Sequence, residues 1–184
     1  MPRILMVIGS LREQSFNRQL AREVERIIGD RAEVSYLDWT DVPLMNQDIE
    51  WPVPQPVQRV RDAILGADAI WFFSPEYNSN IPGGLKNLLD WLSRPTDQHD
   101  RTSPSAIKGK RAAIFGVGGR AATAGMRENL ARLLAVMGVT VVGETGLGIS
   151  LAPEAWRSGV LELEPGTQGA LEAMVGDYLA AWAE

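Results

Sequence analysis

Ile4-Leu5-Met6-Val7-Ile8-Gly9-Ser10-Leu11-Arg12-Glu13-Gln14-Ser15-Phe16-Asn17 joins a short apolar run to a polar loop. Beyond it, Phe16, Leu20, Val24, Ile27 and Ile28 fall at helical spacing. The stretch therefore reads as strand, tight loop and helix. A helix N-terminus in that position has unpaired backbone N–H groups and a partial positive charge, so it attracts anions. Gly9 is read as permitting a sharp backbone turn. Ser10, Ser15 and Asn17 supply donors, and Arg12 supplies a guanidinium fork. With one glycine and no lysine, the loop is neither G-x-G-x-x-G nor G-x-x-x-x-G-K-[ST]. A monophosphate held by hydroxyls and amides suits it better than a triphosphate with magnesium. The plainer alternative is that Ser15 only N-caps the helix.

The chain has 184 residues, which favours one domain over 1–184 with a sizeable core. Its net charge of −5 argues against nucleic acid as the main partner. No run of ~18 apolar residues is present to span a membrane, and no basic segment precedes a cleavable apolar core. Cysteine is absent and His99 is the one histidine. Disulfides, thiolate metal sites, cysteine nucleophiles and histidine metal clusters are thereby excluded or made improbable, and no metal is expected. The expected address is the cytoplasm.

The rest of the chain repeats the opening pattern. Residues 32–37 read as a second strand and 57–65 as a helix stopped by Gly66. Residues 67–73 form a continuous apolar run, as a central parallel strand requires. A helix striped by Leu85, Leu88, Leu89 and Leu92 follows, with Pro82 near its first turn. Residues 111–116 read as the fourth strand, 124–137 as a helix with Gly138 after it, and 139–142 as the fifth strand. Residues 147–160 read as irregular. A last helix from about residue 167 turns Leu171, Met174, Val175, Tyr178, Leu179 and Trp182 to the core. Between these lie a long loop, 38–56, rich in proline and tryptophan, and a charged stretch, 95–110, expected to be mobile. Trp39, Met45, Ile49 and Trp51 put apolar surface on the long loop, as a subunit contact would.

Alternating strands and helices imply an α/β fold: a parallel sheet of five strands covered on both faces. Right-handed crossovers leave few topologies, of which order 2-1-3-4-5 is a common one. It places ligands beyond the carboxyl ends of strands one, three and four. Three unusual loops begin there, at residues 9–17, 74–84 and 116–123. In the second, Pro75 stiffens the turn, and Glu76, Tyr77 and Asn78 can set amides and an aromatic ring beside a flat heterocycle. With no paired carboxylate or histidine close by, Glu76 reads as structural or ligand-orienting, and no side chain is expected to act as a catalytic nucleophile or base. Gly118 and Gly119 permit close backbone approach in the third loop. Phosphate on the first loop and a flat ring between the others describe flavin mononucleotide (FMN).

The strings Gly9-Ser10-Leu11-Arg12-Glu13-Gln14-Ser15-Phe16-Asn17, Ser74-Pro75-Glu76-Tyr77-Asn78, Pro82-Gly83-Gly84-Leu85-Lys86-Asn87 and Asp90-Trp91 resemble the NADPH-dependent FMN reductase family. Pro43-Leu44-Met45-Asn46-Gln47-Asp48 resembles a segment of the same proteins. The resemblance implies a flavodoxin-like three-layer sandwich, bound FMN, NADPH or NADH as co-substrate, and a homodimer or homotetramer. It implies electron transfer to a small acceptor: a quinone, a flavin, an azo compound or a metal oxyanion. It matches Ser10, Arg12, Ser15, Phe16 and Asn17 to the phosphate loop, and Pro75, Glu76, Tyr77 and Asn78 to the ring segment. Less closely, it matches Gly116, Gly118, Gly119 and Arg120 to the third loop. Residues 96–105 are longer than the family leads one to expect. The competing reading is a flavodoxin-like electron carrier that does not oxidise NAD(P)H.

Overall fold

Three strands are buried almost end to end, and the rest is arranged to cover them. They are β1 (Arg3–Ile8), β3 (Ala69–Phe73) and β4 (Arg111–Gly118). Alternate side chains point to opposite faces, so each face needs its own cover. Leu5, Val7, Ile70, Phe72, Ala112 and Ile114 pack with α2 (Gln55–Gly66), α3 (Gly83–Leu92) and α4 (Ala124–Val136). Ile4, Met6, Trp71, Phe73, Ala113 and Phe115 pack with α1 (Phe16–Ile28) and α6 (Pro165–Ala180). The computed structural model describes residues 1–181, so Trp182, expected in this second core, lies outside the described residues.

The sheet is parallel, in the order β2-β1-β3-β4-β5, where β2 is Glu33–Tyr36 and β5 is Thr140–Val141. That is the expected order. Its central register levels the ends of β1 and β3, since Ile8 lies opposite Phe73 and Phe73 opposite Phe115, while β4 runs on past the expected 116 to Gly118. The ladder runs on into the loops. Gly9 N–H donates to Phe73 O at 2.8 Å, and Ser74 N–H to Phe115 O at 3.0 Å. The three loops singled out in the sequence therefore leave the sheet side by side.

One expectation fails at the far edge. Residues 147–160 are not irregular: they hold β6 (Leu147–Ser150) and α5 (Pro153–Ser158). β6 pairs in parallel with Phe115–Gly118, while the two-residue β5 pairs lower down with Arg111 and Ala112. The fifth sheet position is thus filled by two segments, and the strand expected at 139–142 shrinks to its middle. The join lies so close to β4 that side chains are excluded. A Cβ on Gly146, whose φ is +70°, would stand 1.8 Å from Ile114 O. One on Gly148 would stand 2.1 Å from Ala122 O. Glycine fits the close approach but hides the strand from any hydrophobic pattern. α2 and α6 also begin earlier than periodicity implies, because proline suits a first helical turn.

The long loop is a cover, and Trp39 belongs to the core rather than to an exposed contact. Trp39 is 6% exposed, and its Nε1 donates to Ile8 O at 3.2 Å. Helix α3 holds the next part. Asn87 Oδ1 accepts from Met45 N–H at 2.7 Å, Asn87 Nδ2 donates to Pro43 O at 2.9 Å, and Trp91 Nε1 donates to the same oxygen at 2.8 Å. The segment expected to be mobile closes on itself: Thr96 Oγ1 donates to Pro104 O at 2.9 Å and Asp97 N–H to Ser103 Oγ at 3.0 Å.

The two loops meet at the buried Glu50, which accepts from Arg94 Nε at 2.8 Å and Nη2 at 3.0 Å. Those hydrogen bonds, and then the positive charge, hold the Glu50 carboxyl below its ordinary value against the opposing effect of burial. A lowered native pKa contributes stability that is complete above the unfolded value of about 4.3 and is lost as pH falls through the native value. Glu50→Gln is therefore expected to cost about 1–3 kcal/mol near neutral pH. Urea melts at several pH values should show the gap between the two proteins closing in acid, and a gap independent of pH would contradict the assignment.

Candidate functional site

At the carboxyl ends of β1, β3 and β4 is a cavity of about 360 Å³. Eleven of the sequence-predicted residues line it: Ser10, Arg12, Ser15, Phe16, Asn17, Pro75, Glu76, Tyr77, Gly118, Gly119 and Arg120. Gly116 and Asn78 do not. Val117, Ala121, Thr123, Leu151 and Trp156 complete the lining.

The first loop presents a helix start with its donors open. The first intrahelical bond is from Gln19 N–H to Ser15 O at 3.0 Å, so the N–H groups of Phe16, Asn17 and Arg18 lie ahead of it. Ser15 has extended backbone at the N-cap, is 3% exposed, and makes no capping bond with its hydroxyl. The plain N-cap reading is thus not met, and the hydroxyl stays available to a ligand. Gly9 sits at a bend, and it also serves close packing: a Cβ there would stand 2.5 Å from Ser74 Oγ. Arg12 curls back on its own loop, donating Nε to Gln14 O at 3.0 Å, with its guanidinium 5.1 Å from the centre of the Phe16 ring.

Asn17 has a different task from the one its residue type implied. Its Nδ2 donates to Val117 O at 3.2 Å and its Oδ1 accepts from Val117 N–H at 2.9 Å, both buried. The side chain ties the start of α1 to the end of β4 and leaves only its backbone N–H for an anion.

In the second loop, Tyr77 and Asn80 exchange N–H···O bonds of 3.1 Å. Asn78 and Ser79 between them have φ of +53° and +58°, as a type I′ turn requires. Glu76 Oε2 accepts from Met126 N–H at 2.8 Å, capping the first turn of α4. Its expected structural role is thereby given a partner. Tyr77 is left 52% exposed at the rim.

The third loop is organised around Thr123, which sequence reading passed over. It is 1% exposed at a φ of +58°. A Cβ on Gly116 would stand 1.9 Å from its Oγ1, and one on Gly118 2.8 Å from its Cγ2. Gly116 therefore acts from behind the cavity, by making room for Thr123. Arg127 of α4 steadies the same loop, donating Nε to Ala122 O at 3.3 Å and Nη1 to Gly146 O at 3.0 Å. Burial lowers the Arg127 pKa, chiefly against the pull of Glu128 and Glu76. Trp156 was missed because its helix was not foreseen. No group of three or more His, Cys, Asp or Glu among the described residues is placed to hold a metal ion.

The family model for NADPH-dependent FMN reductases matches residues 2–154. The chain belongs to that family. A quinone reductase of Pseudomonas putida is 38% identical over 133 residues, covering 69% of this chain and 68% of that one. An NAD(P)H-dependent FMN reductase of Pseudomonas aeruginosa is 34% identical over 155 residues, covering 84% and 80%. Among solved structures, the flavoenzyme NAD(P)H:(acceptor) oxidoreductase FerB of Paracoccus denitrificans superposes with a TM-score of 0.84 at 28% identity, covering 98% of this chain and 96% of that one. The fold is flavodoxin-like, and the reductase uses FMN with NAD(P)H as co-substrate. The electron-carrier reading is not favoured.

The residues fit that cofactor. An uncapped helix start and an unengaged Ser15 hydroxyl suit a phosphate, while Pro75 and Tyr77 offer apolar surface to a ring system. The cleft depends on Asn17 holding its first and third loops together. Asn17→Ala leaves a buried N–H and C=O unpaired, so it should cost about 1–3 kcal/mol in a chemical melt of the cofactor-free protein. FMN affinity should fall in the same variant by equilibrium titration. Unchanged values of both would mean that the tie is not needed.

Proposed function

We propose that this reductase oxidises NAD(P)H and delivers the electrons to a quinone, NAD(P)H + H⁺ + quinone giving NAD(P)⁺ + hydroquinone. The observation that carries the reading is the joining of an uncapped anion site to an open, aromatic-rimmed cavity. The relatives support the acceptor class, since they include quinone reductases and a 2-hydroxy-1,4-benzoquinone reductase of a Burkholderia species that is 34% identical over 143 residues.

When bound, FMN would supply the two-electron chemistry between NAD(P)H and the acceptor. The chain's own residues bind and orient. Ser15, Ser10 and the first N–H groups of α1 hold the phosphate, with Arg12 beside them. The backbone of Pro75, Glu76 and Tyr77 would run along one edge of the ring, with Asn78 in the turn behind it, and the Glu76 cap on α4 fixes that segment. Gly118, Gly119 and Arg120 would line the other edge, where backbone donors would stabilise developing negative charge. Tyr77 stands at the rim, where nicotinamide and acceptor take turns.

Assembly as a homodimer or homotetramer belongs to the same proposal, as does work in the cytoplasm on a small-molecule acceptor. Leu44 and Val136 are each 82% exposed, and Leu44 is held between the anchored Pro43 and Met45. That is apolar surface for a second copy to cover. Light scattering at micromolar concentration should give at least twice the chain mass, and a monomer would contradict the assembly. Acceptor choice is tested by steady-state NADPH oxidation with a benzoquinone, free FMN, an azo dye and chromate. The quinone should give the largest kcat/KM. A larger value for any other acceptor would overturn the assignment.

A further inference from the structure

Trp156 is 58% exposed on a helix of six residues, yet its surroundings fix it firmly. Its ring meets Phe16 edge-on, with centroids 5.7 Å apart and planes at 81°. Phe16 is the first residue of α1, so the contact sets the indole beside the anion-attracting end of the cleft.

The segment that carries it is tied down on both sides. Before α5, Leu151 N–H donates to Gly118 O at 2.8 Å and Ser150 Oγ to Arg120 O at 3.3 Å. After it, Gly159 turns the chain at a φ of +72°. Gln19 of α1 then brackets the exit, donating Nε2 to Gly159 O at 2.8 Å and accepting at Oε1 from Leu161 N–H at 2.7 Å. These bonds attach α5 to the third loop on one side and to α1 on the other. A large aromatic held in place with much of its surface open, and lining the cavity, offers contact area at little entropic cost.

We propose that Trp156 walls the phosphate end of the FMN site and slows release of the cofactor, a role that rests on the FMN reading above. Covering that end excludes water and salt, which strengthens hydrogen bonds from Ser15 and the α1 amides to a charged phosphate. The family match ends at residue 154, so this wall lies just outside the matched segment.

The experiment follows FMN release from the wild type, Trp156→Phe and Trp156→Ala at low and high salt, by recovery of flavin fluorescence after dilution. Trp156→Ala should release FMN about fivefold to tenfold faster, Trp156→Phe should restore most of the retention, and the alanine variant should be the more salt-sensitive. Thermal midpoints of the cofactor-free proteins should agree, since the side chain is largely exposed. Equal release rates for alanine and wild type at both salts would overturn the proposal. So would an equal acceleration of riboflavin release, because riboflavin lacks the phosphate. A wild type that retains no FMN would instead overturn the cofactor reading itself, before any variant is compared.

Discussion

The molecule depends on burying β1, β3 and β4 on both faces. These strands run parallel, so none can be joined by a hairpin, and each needs a crossover through a helix layer. Because the strands are parallel, the outgoing loops gather at their carboxyl ends. The register sets the first two level, because Ile8 lies opposite Phe73, and β4 carries the third loop on to Gly118 beside them. The cleft is thus a consequence of how the core is covered.

Within the cleft, polar side chains divide into those that hold the walls and those left for a ligand. Asn17 is spent on Val117, Glu76 on the first turn of α4, and Arg127 on the turn at Gly146. Each satisfies backbone groups that burial would otherwise penalise. The Ser15 hydroxyl makes no capping bond, and Tyr77 stays at the rim. The same division explains the motif around Asn87 and Trp91. Its side chains bond the backbone of Pro43 and Met45, so they fix the long loop and do not reach the cavity.

Much of this was legible in the sequence because the central strands are unbroken apolar runs and the helices keep a clear period. The three loops were found by where they begin. What escaped notice was structure written in glycine and short elements. Gly146 and Gly148 admit β6 to the side of β4, and neither contributes to a hydrophobic pattern. Losing β6 lost α5, and with it Leu151 and Trp156. Thr123 escaped because its importance lies in the space left by Gly116 and Gly118, which only the folded backbone reveals. Residue type alone also did not show what the Asn17 and Trp39 side chains touch: the amide meets Val117, and the indole fills the core.

The central claim is that one cleft, built from the loops after β1, β3 and β4, holds FMN where NAD(P)H can reduce it. Anaerobic stopped-flow mixing of the FMN-loaded protein with NADPH, read at the oxidised flavin band, tests it directly. The account predicts complete bleaching at a rate that saturates with NADPH, and return of the band when a quinone is added. A protein that keeps its FMN yet shows no loss of the oxidised band would contradict it.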